Sequence, residues 1–141
     1  MPRMNVDRRR LKTEGVADAF KPSPPSIVSV GVDCEEISRF GKLGREAIGK
    51  IFTKNEIDYC SKKADPSQHL AARFAGKEAV IKCFGAIGKK IPFSQIEIIK
   101  YGNNAPAAGI LDENLRGYDV MLSLSHSGNM AIAFAVLKKK R

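Results

Sequence analysis

The segment His69–Gly85, reading HLAARFAGKEAVIKCFG, restricts the possible folds of this chain more than any other. Pro66 stands where a helix can open and Gly85 where one can stop, so the pattern predicts a helix over about 67–84. At ~100° per residue, Leu70, Phe74, Ile81 and Phe84 share an arc of ~80°, while Ala72, Ala75, Gly76 and Ala79 lie on the other side. Small residues on one flank and large apolar residues on the other predict a helix covered on both flanks. Lys77 falls inside the apolar arc, and an ammonium group there must either snorkel to water or meet a partner.

The flanking segments supply the layers such a helix needs. Ile27–Val32 is rich in β-branched residues and predicts a strand ending at Asp33, followed by a helix from about Glu35 to Lys42 with Ile37 and Phe40 inward. Thr53-Lys54-Asn55-Glu56 is a capping box and predicts a helix reaching about Lys63. Ser94–Tyr101 and Tyr118–Ser125 alternate as strands, with Val120, Leu122 and Leu124 facing one way. Asn103–Pro106 reads as a turn and Asp112–Arg116 as a short helix. Ser127-Gly128-Asn129 turns into the apolar run Met130–Leu137, which predicts a closing hairpin. Gly85 and Gly88 are expected to supply positive φ angles at the helix end. The order predicts an α+β fold, helices packed on a mainly antiparallel sheet. Residues 1–25 lack an apolar period and end in Lys-Pro-Ser-Pro-Pro, so they read as a mobile basic extension ahead of one domain over 26–141.

Charge narrows the partners. The net charge is +9, but residues 1–25 carry six Lys/Arg against three Asp/Glu, and Lys138–Arg141 are all basic. The body, 26–137, has fourteen Lys/Arg against twelve Asp/Glu, so its surface is not strongly basic. The tails read as solubilising arms, with nucleic-acid binding as the competing reading. There is no tryptophan to help build a base-stacking platform. No apolar stretch is long enough for a membrane span, and no hydrophobic region near the N-terminus reads as a secretory signal. Cys34, Cys60 and Cys83 have neither zinc nor disulfide spacing, so a cytoplasmic setting is expected.

Chemistry could reside in three places, each with a plain alternative. Asp33 ends an apolar strand, where it could cap the next helix or present a hard oxygen to a cation such as Mg²⁺. Glu78 and Lys82 are an i,i+4 pair; they could form a helix salt bridge of ~0.2–0.5 kcal/mol, or place a carboxylate for a metal beside an ammonium for a phosphate. Arg73 lies near the edge of the apolar arc that holds Lys77. His126, between Ser125 and Ser127, could bind phosphate, carry a proton, or simply sit at a surface turn. The phosphate loop G-x-x-x-x-G-K-[ST], the dinucleotide G-x-G-x-x-G, the zinc motif H-E-x-x-H and the serine elbow G-x-S-x-G are all missing.

Taken together, Gly31-Val32-Asp33 with Arg39, Phe52-Thr53-x-x-Glu56, the helix Arg73-Phe74-Ala75-x-Lys77-Glu78-Ala79-x-x-Lys82-x-x-Gly85, and Ser123-Leu124-Ser125-His126-Ser127 before an alanine-rich strand resemble the holo-acyl-carrier-protein synthase family. This is the small, single-half type of 4′-phosphopantetheinyl transferase, and the resemblance spans about 27–137. It implies transfer of phosphopantetheine from coenzyme A to a serine of an acyl carrier protein in fatty acid biosynthesis, releasing adenosine 3′,5′-bisphosphate. It further implies Mg²⁺ held by Asp33 and Glu78, Lys82 neutralising a phosphate, and Gly85 letting the backbone approach the cofactor. Arg73, Ser125, His126 and Ser127 would contact coenzyme A, and the serine proton would pass to His126 or to a metal-bound water. The family also implies a homotrimer with active sites between neighbours, and an acidic carrier docking on Arg39, Lys42 and Arg45. The chain departs from the pattern at Cys34, usually aliphatic, at Asn103–Ala108, usually glycine–x–proline, and in its N-terminal extension. These differences leave room for a carrier from a polyketide or peptide pathway.

Overall fold

The computed structural model describes residues 27–101 and 105–140; the extension read at 1–25 and the turn residues Asn103 and Asn104 lie outside them. Among the described residues there are five strands, β1 (Ile27–Glu36), β2 (Ile96–Tyr101), β3 (Ala105–Ile110), β4 (Tyr118–Ser127) and β5 (Met130–Lys139). They form one sheet in the order β1-β5-β4-β3-β2, antiparallel at every pairing. The helices are α1 (Arg45–Ile51), α2 (Lys54–Ser61) and α3 (Pro66–Gly85), with 3₁₀ turns at Ile37–Gly41, Phe93–Gln95 and Glu113–Leu115. The fold is therefore α+β, as expected, with the helices on one face of an antiparallel sheet.

α3 is covered on both flanks. Ala75, Ala79, Val80, Cys83 and Phe84 pack on the sheet with Ile96, Ile98, Ala133, Ala135 and Leu137. Leu70 and Ala71 join Ile37, Phe40, Phe52, Cys60 and Ala131 in a second core, against which Phe74 packs. The large residues of the arc are thus divided between two cores. Alanines on both α3 and β5 let the helix ride close to the sheet. The approach is closest where α3 crosses β1. A Cβ on Gly31 would overlap the Ala79 carbonyl oxygen and lie 3.2 Å from Cys83 Sγ. Ser29 Oγ also donates to the Cys83 carbonyl at 2.7 Å. Gly31→Ala is expected to destabilise the protein by about 1–3 kcal/mol, measured as a lower urea midpoint, because backbone cannot yield as a flexible side chain does.

Lys77 is fully buried and has found its partner. Its Nζ lies 2.7 Å from Glu56 Oε1 and donates to the carbonyls of Phe93, at 3.0 Å, and Ile96. Glu56 is the capping-box residue of α2: it accepts from the Thr53 N–H, while Thr53 caps the Glu56 N–H. Its other oxygen accepts from the Ile98 N–H at 3.0 Å. One carboxylate therefore ties α2, α3 and β2 together. Burial lowers the Lys77 pKa, and the charge and hydrogen bond of Glu56 oppose that shift.

Several expectations need correction. β1 does not end at Asp33 but runs on to Glu36, because its pairing with β5 continues through Asp33↔Ala133 to Glu36↔Met130. The helix read at Glu35–Lys42 is only the 3₁₀ turn Ile37–Gly41, with Ile37 and Phe40 buried as expected. Asp33 is therefore a strand residue and not a helix cap. Gly85 is the last residue of α3 and lacks positive φ; among the described glycines this belongs to Gly88 (φ 74°) and Gly128 (φ 56°), the latter in the closing hairpin. Ala105 and Pro106, read as part of a turn, belong to β3. Pro106 sits opposite Lys100 of β2, and β3 meets β4 only at Ala107↔Met121, so its missing N–H costs little there.

Candidate active site

The predicted site residues fall into two groups on opposite flanks of α3. Arg73 and Glu78 are five residues apart on one helix, which places them about 140° apart around its axis.

The first group is acidic. Ser29, Gly31, Asp33 and Glu35 are the β1 residues turned toward α3, by the two-residue period of the strand. Lys82 does not turn to Glu78. Its Nζ donates to Asp33 Oδ1 at 3.1 Å and to the Val32 carbonyl at 2.8 Å. The other Asp33 oxygen, Oδ2, is buried without a hydrogen-bond partner. Glu78 lies close enough that burial, and then the charge of Asp33, raise its pKa, with Lys82 pulling the other way. Glu35 is buried beside Asp33 and bound to Arg39 at 3.0 Å. Burial, followed by a hydrogen bond with Asp33 and the charge of Asp33, pushes the Glu35 carboxyl up to about 7; Glu78 adds to the push and Arg39 opposes it. Three carboxylates thus share a confined space with two largely exposed cations, a local deficit of positive charge.

The second group is basic and lines a cavity of about 220 Å³, bounded by Gln68, His69, Ala72, Arg73, Lys100, Pro106, Leu124, Ser125 and His126. Arg73 is only 3% exposed; it donates to the His69 carbonyl at 3.3 Å, and its Nε is buried without a partner. Its guanidinium lies 4.2 Å over the Tyr59 ring, which Lys63 also approaches at 4.4 Å and Lys100 at 5.9 Å. Burial alone would raise the Tyr59 pKa, but hydrogen bonds and charge from Lys100 and Lys63 override it and lower the value. Burial, then the charges of Arg73, Lys63 and Lys100, lower the pKa of His69. His126 is exposed at the end of β4, and its ring lies 3.0 Å from the Gln68 side-chain amide. Such a surface suits an anion with several oxygens.

Glu35 and His126 both pair through Ala131, so β1 and β4 are separated by one strand, about 10 Å. Within one chain the acids and the cavity are neighbours but not one pocket. Ser125 reaches the cavity rim, whereas Ser127 is absent from its lining and pairs with Met130 at the hairpin tip. Gly85 is exposed, and a side chain there would touch nothing within 4 Å, so the end of α3 is open. Lys42 and Arg45 are exposed near Arg39, whose side chain is 62% exposed. Reading the sequence missed Glu35, Gln68, Tyr59, Lys63 and Lys100. Glu35 had a signal, its two-residue spacing from Asp33, which counts only once β1 is known to continue.

The long helix carries an acidic cluster on one side and a basic cavity on the other, and the relatives show the family to which this arrangement belongs. The family model for the 4′-phosphopantetheinyl transferase superfamily matches residues 29–135. The holo-[acyl-carrier-protein] synthase of Ruminiclostridium cellulolyticum is 42% identical over 120 residues, 77% of this chain and 90% of that protein. The synthase of Aquifex aeolicus is 37% identical over 120 residues, 79% of this chain and 98% of its own. Among solved structures, the holo-(acyl-carrier-protein) synthase of Bacillus anthracis, in complex with CoA (3′,5′-ADP), superposes with a TM-score of 0.69 at 29% identity, covering 81% of this chain and 98% of that one. The Helicobacter pylori synthase in complex with coenzyme A gives 0.67 at 30%, covering 77% and 99%. The chain belongs to the holo-acyl-carrier-protein synthase family and is a 4′-phosphopantetheinyl transferase.

Proposed function

We propose that this chain transfers 4′-phosphopantetheine from coenzyme A to a serine hydroxyl of an apo-acyl carrier protein, with Mg²⁺ held by Asp33 and Glu78. The observation that carries this reading is Asp33 Oδ2, buried and without a hydrogen-bond partner, beside a second carboxylate whose pKa it raises. A buried carboxylate oxygen facing like charge is unfavourable unless a cation completes it. Among the described residues, no group of three His, Cys, Asp or Glu side chains could hold a metal ion by itself. Two carboxylates, with the remaining positions left to water and substrate phosphates, are what Mg²⁺ commonly takes. When bound, the ion would neutralise the diphosphate of coenzyme A during phosphoryl transfer.

The chain's own residues then have separate tasks. The serine oxygen bonds to the phosphorus carrying pantetheine, the diphosphate bridge breaks, and adenosine 3′,5′-bisphosphate leaves as the serine loses its proton. Lys82, 52% exposed, can swing from Asp33 to a diphosphate oxygen without leaving α3. The open end of α3 at Gly85 admits the pantetheine arm. Arg73, Ser125 and His126 supply donors for the nucleotide phosphates, and Ser127 would join them only from a neighbouring chain or after the hairpin tip moves. The carrier's acidic surface docks on Arg39, Lys42 and Arg45, so transfer should slow with added salt.

The separation of the acids from the basic cavity supports a homotrimer in which one chain's acids face its neighbour's cavity. The helix-free face of the sheet supports it as well. Val30, Val32, Met121, Ile132 and Phe134 are all exposed there, and the pairs Val32↔Phe134 and Met121↔Val136 make them one apolar surface. A cytoplasmic setting accords with the free thiols of Cys34, Cys60 and Cys83. Among the described residues no helix is long and apolar enough to cross a membrane. Specialisation for a polyketide or peptide carrier is a second reading, favoured by the unusual Ala105–Ala108 stretch, whose Pro106 borders the basic cavity.

Incubation with coenzyme A, Mg²⁺ and an apo-carrier tests the reaction by the mass of the carrier. The arm should appear with Mg²⁺ and not with EDTA; no addition to fatty-acid, polyketide or peptide carriers would overturn the proposal.

A further inference from the structure

Of the two histidines at the basic cavity, His126 is the exposed one, and a single side chain sets its attitude. Val120, Leu122 and Leu124 pack against the core beneath α3. The two-residue period of β4 places His126 next in that row, beyond the core and beside the first turn of the helix. There the Gln68 amide nitrogen lies 3.0 Å from Nε2 and 3.3 Å from Nδ1 of the His126 ring. An atom that close to both nitrogens cannot lie in the ring plane, because the carbon between them stands in the way. The amide is therefore laid against the ring face, and the in-plane positions of both nitrogens are left to other partners. Gln68 is itself fixed at its stem, since its backbone N–H donates to Oδ1 of the N-cap Asp65 at 3.3 Å. Both side chains line the cavity of about 220 Å³ with Arg73 and Lys100.

We propose that Gln68 is a positioning residue for the nucleotide phosphates of coenzyme A: it holds the His126 ring by its face, so that a ring N–H points into the basic cavity, and it does not itself bind the anion. The inference rests on the reading of His126 as a phosphate donor and deepens it. An exposed imidazole at a hairpin end is free to rotate, and a phosphate that binds it must first freeze that motion. An amide on the ring face freezes it beforehand and leaves the donor unoccupied. A partner at the ring edge would instead take a nitrogen that the phosphate needs. The amide is also neutral; a carboxylate at position 68 would claim the imidazole N–H and repel the phosphate.

Two variants and their combination test this. Gln68→Met keeps the length and the helix preference and removes the amide. His126→Ala removes the positioned ring. The probe is coenzyme A, titrated calorimetrically into the full-length protein, with KM for coenzyme A and for an apo-carrier measured alongside. Gln68→Met is expected to weaken coenzyme A binding roughly 3–10-fold and to raise its KM in step. KM for the carrier and the thermal midpoint without ligand should stay as they are. In the double variant, Gln68→Met should add nothing to the loss that His126→Ala causes. If the two losses multiply instead, Gln68 meets the anion on its own and the positioning role is overturned. A lowered midpoint with unchanged affinity would make Gln68 merely structural and overturn it too. If His126→Ala binds more weakly and Gln68→Met binds as the unaltered protein does, the role of Gln68 falls while the reading of His126 stands. If the unaltered protein binds no coenzyme A, or His126→Ala binds it equally well, that reading and this inference fall together.

Discussion

Glu78→Ala is expected to lose at least about 10³-fold of the transfer rate measured with coenzyme A, Mg²⁺ and an apo-carrier. The substitution removes one of the two carboxylates proposed to hold the ion, and several kcal/mol of charge stabilisation at the diphosphate go with it. Alanine is the best helix former, so α3 should persist. Burial and the charge of Asp33 already disfavour ionised Glu78 in the folded protein, so its loss should not lower stability. Unchanged far-ultraviolet circular dichroism with lost turnover is the predicted pair of results. Retained turnover would remove Glu78 from the mechanism.

Lys77→Met should have the largest effect on stability of any single change at this helix, about 3–5 kcal/mol by urea unfolding at fixed protein concentration. Lys77 and Glu56 are both fully buried, and methionine would leave the Glu56 carboxylate without its counter-charge. The Phe93 and Ile96 carbonyls would lose a donor as well. Total stabilities of domains this size are about 5–15 kcal/mol, so the loss is a large share. Removing Glu56 together with Lys77, as Glu56→Leu with Lys77→Met, should restore most of it, because no unpaired charge is then left inside. An unchanged urea midpoint in the single variant would contradict the ion-pair account.

This pair also shows what the chain discloses without a structure. That Lys77 needed a partner is legible from its place in the apolar arc, and that Glu56 closes a capping box is legible from Thr53-x-x-Glu56. That the two satisfy each other is not, because their meeting depends on how α2 packs on α3. The long helix, the α2 cap and the closing hairpin are encoded locally, by period, cap and turn residues, and they stand where expected. β3 was missed because Ala-Pro-Ala-Ala-Gly-Ile has little strand preference of its own; it is a strand because β2 pairs with it along its whole length. α1 escaped notice because its seven residues include Gly49 and bury no side chain fully.

The site was legible in its members and not in its arrangement. Asp33, Glu78, Lys82, Arg73 and His126 stand out as chemistry-bearing groups in the resemblance. Which groups meet is decided by tertiary geometry. Lys82 leaves its i,i+4 neighbour for Asp33, forty-nine residues away in sequence. Glu35 joins the acids because β5 carries β1 three residues beyond Asp33. Beside the basic cavity, Lys63 and Lys100 come from separate segments to one tyrosine, a cluster that no linear spacing announces.

The central claim is that Asp33 and Glu78 share one divalent cation next to bound coenzyme A. Crystals grown with coenzyme A and Mn²⁺ address it directly through anomalous scattering. A single manganese peak within bonding distance of both carboxylates and of a diphosphate oxygen is the predicted result. Coenzyme A bound with the metal elsewhere, or with Asp33 still closed onto Lys82 and no ion beside it, would contradict it.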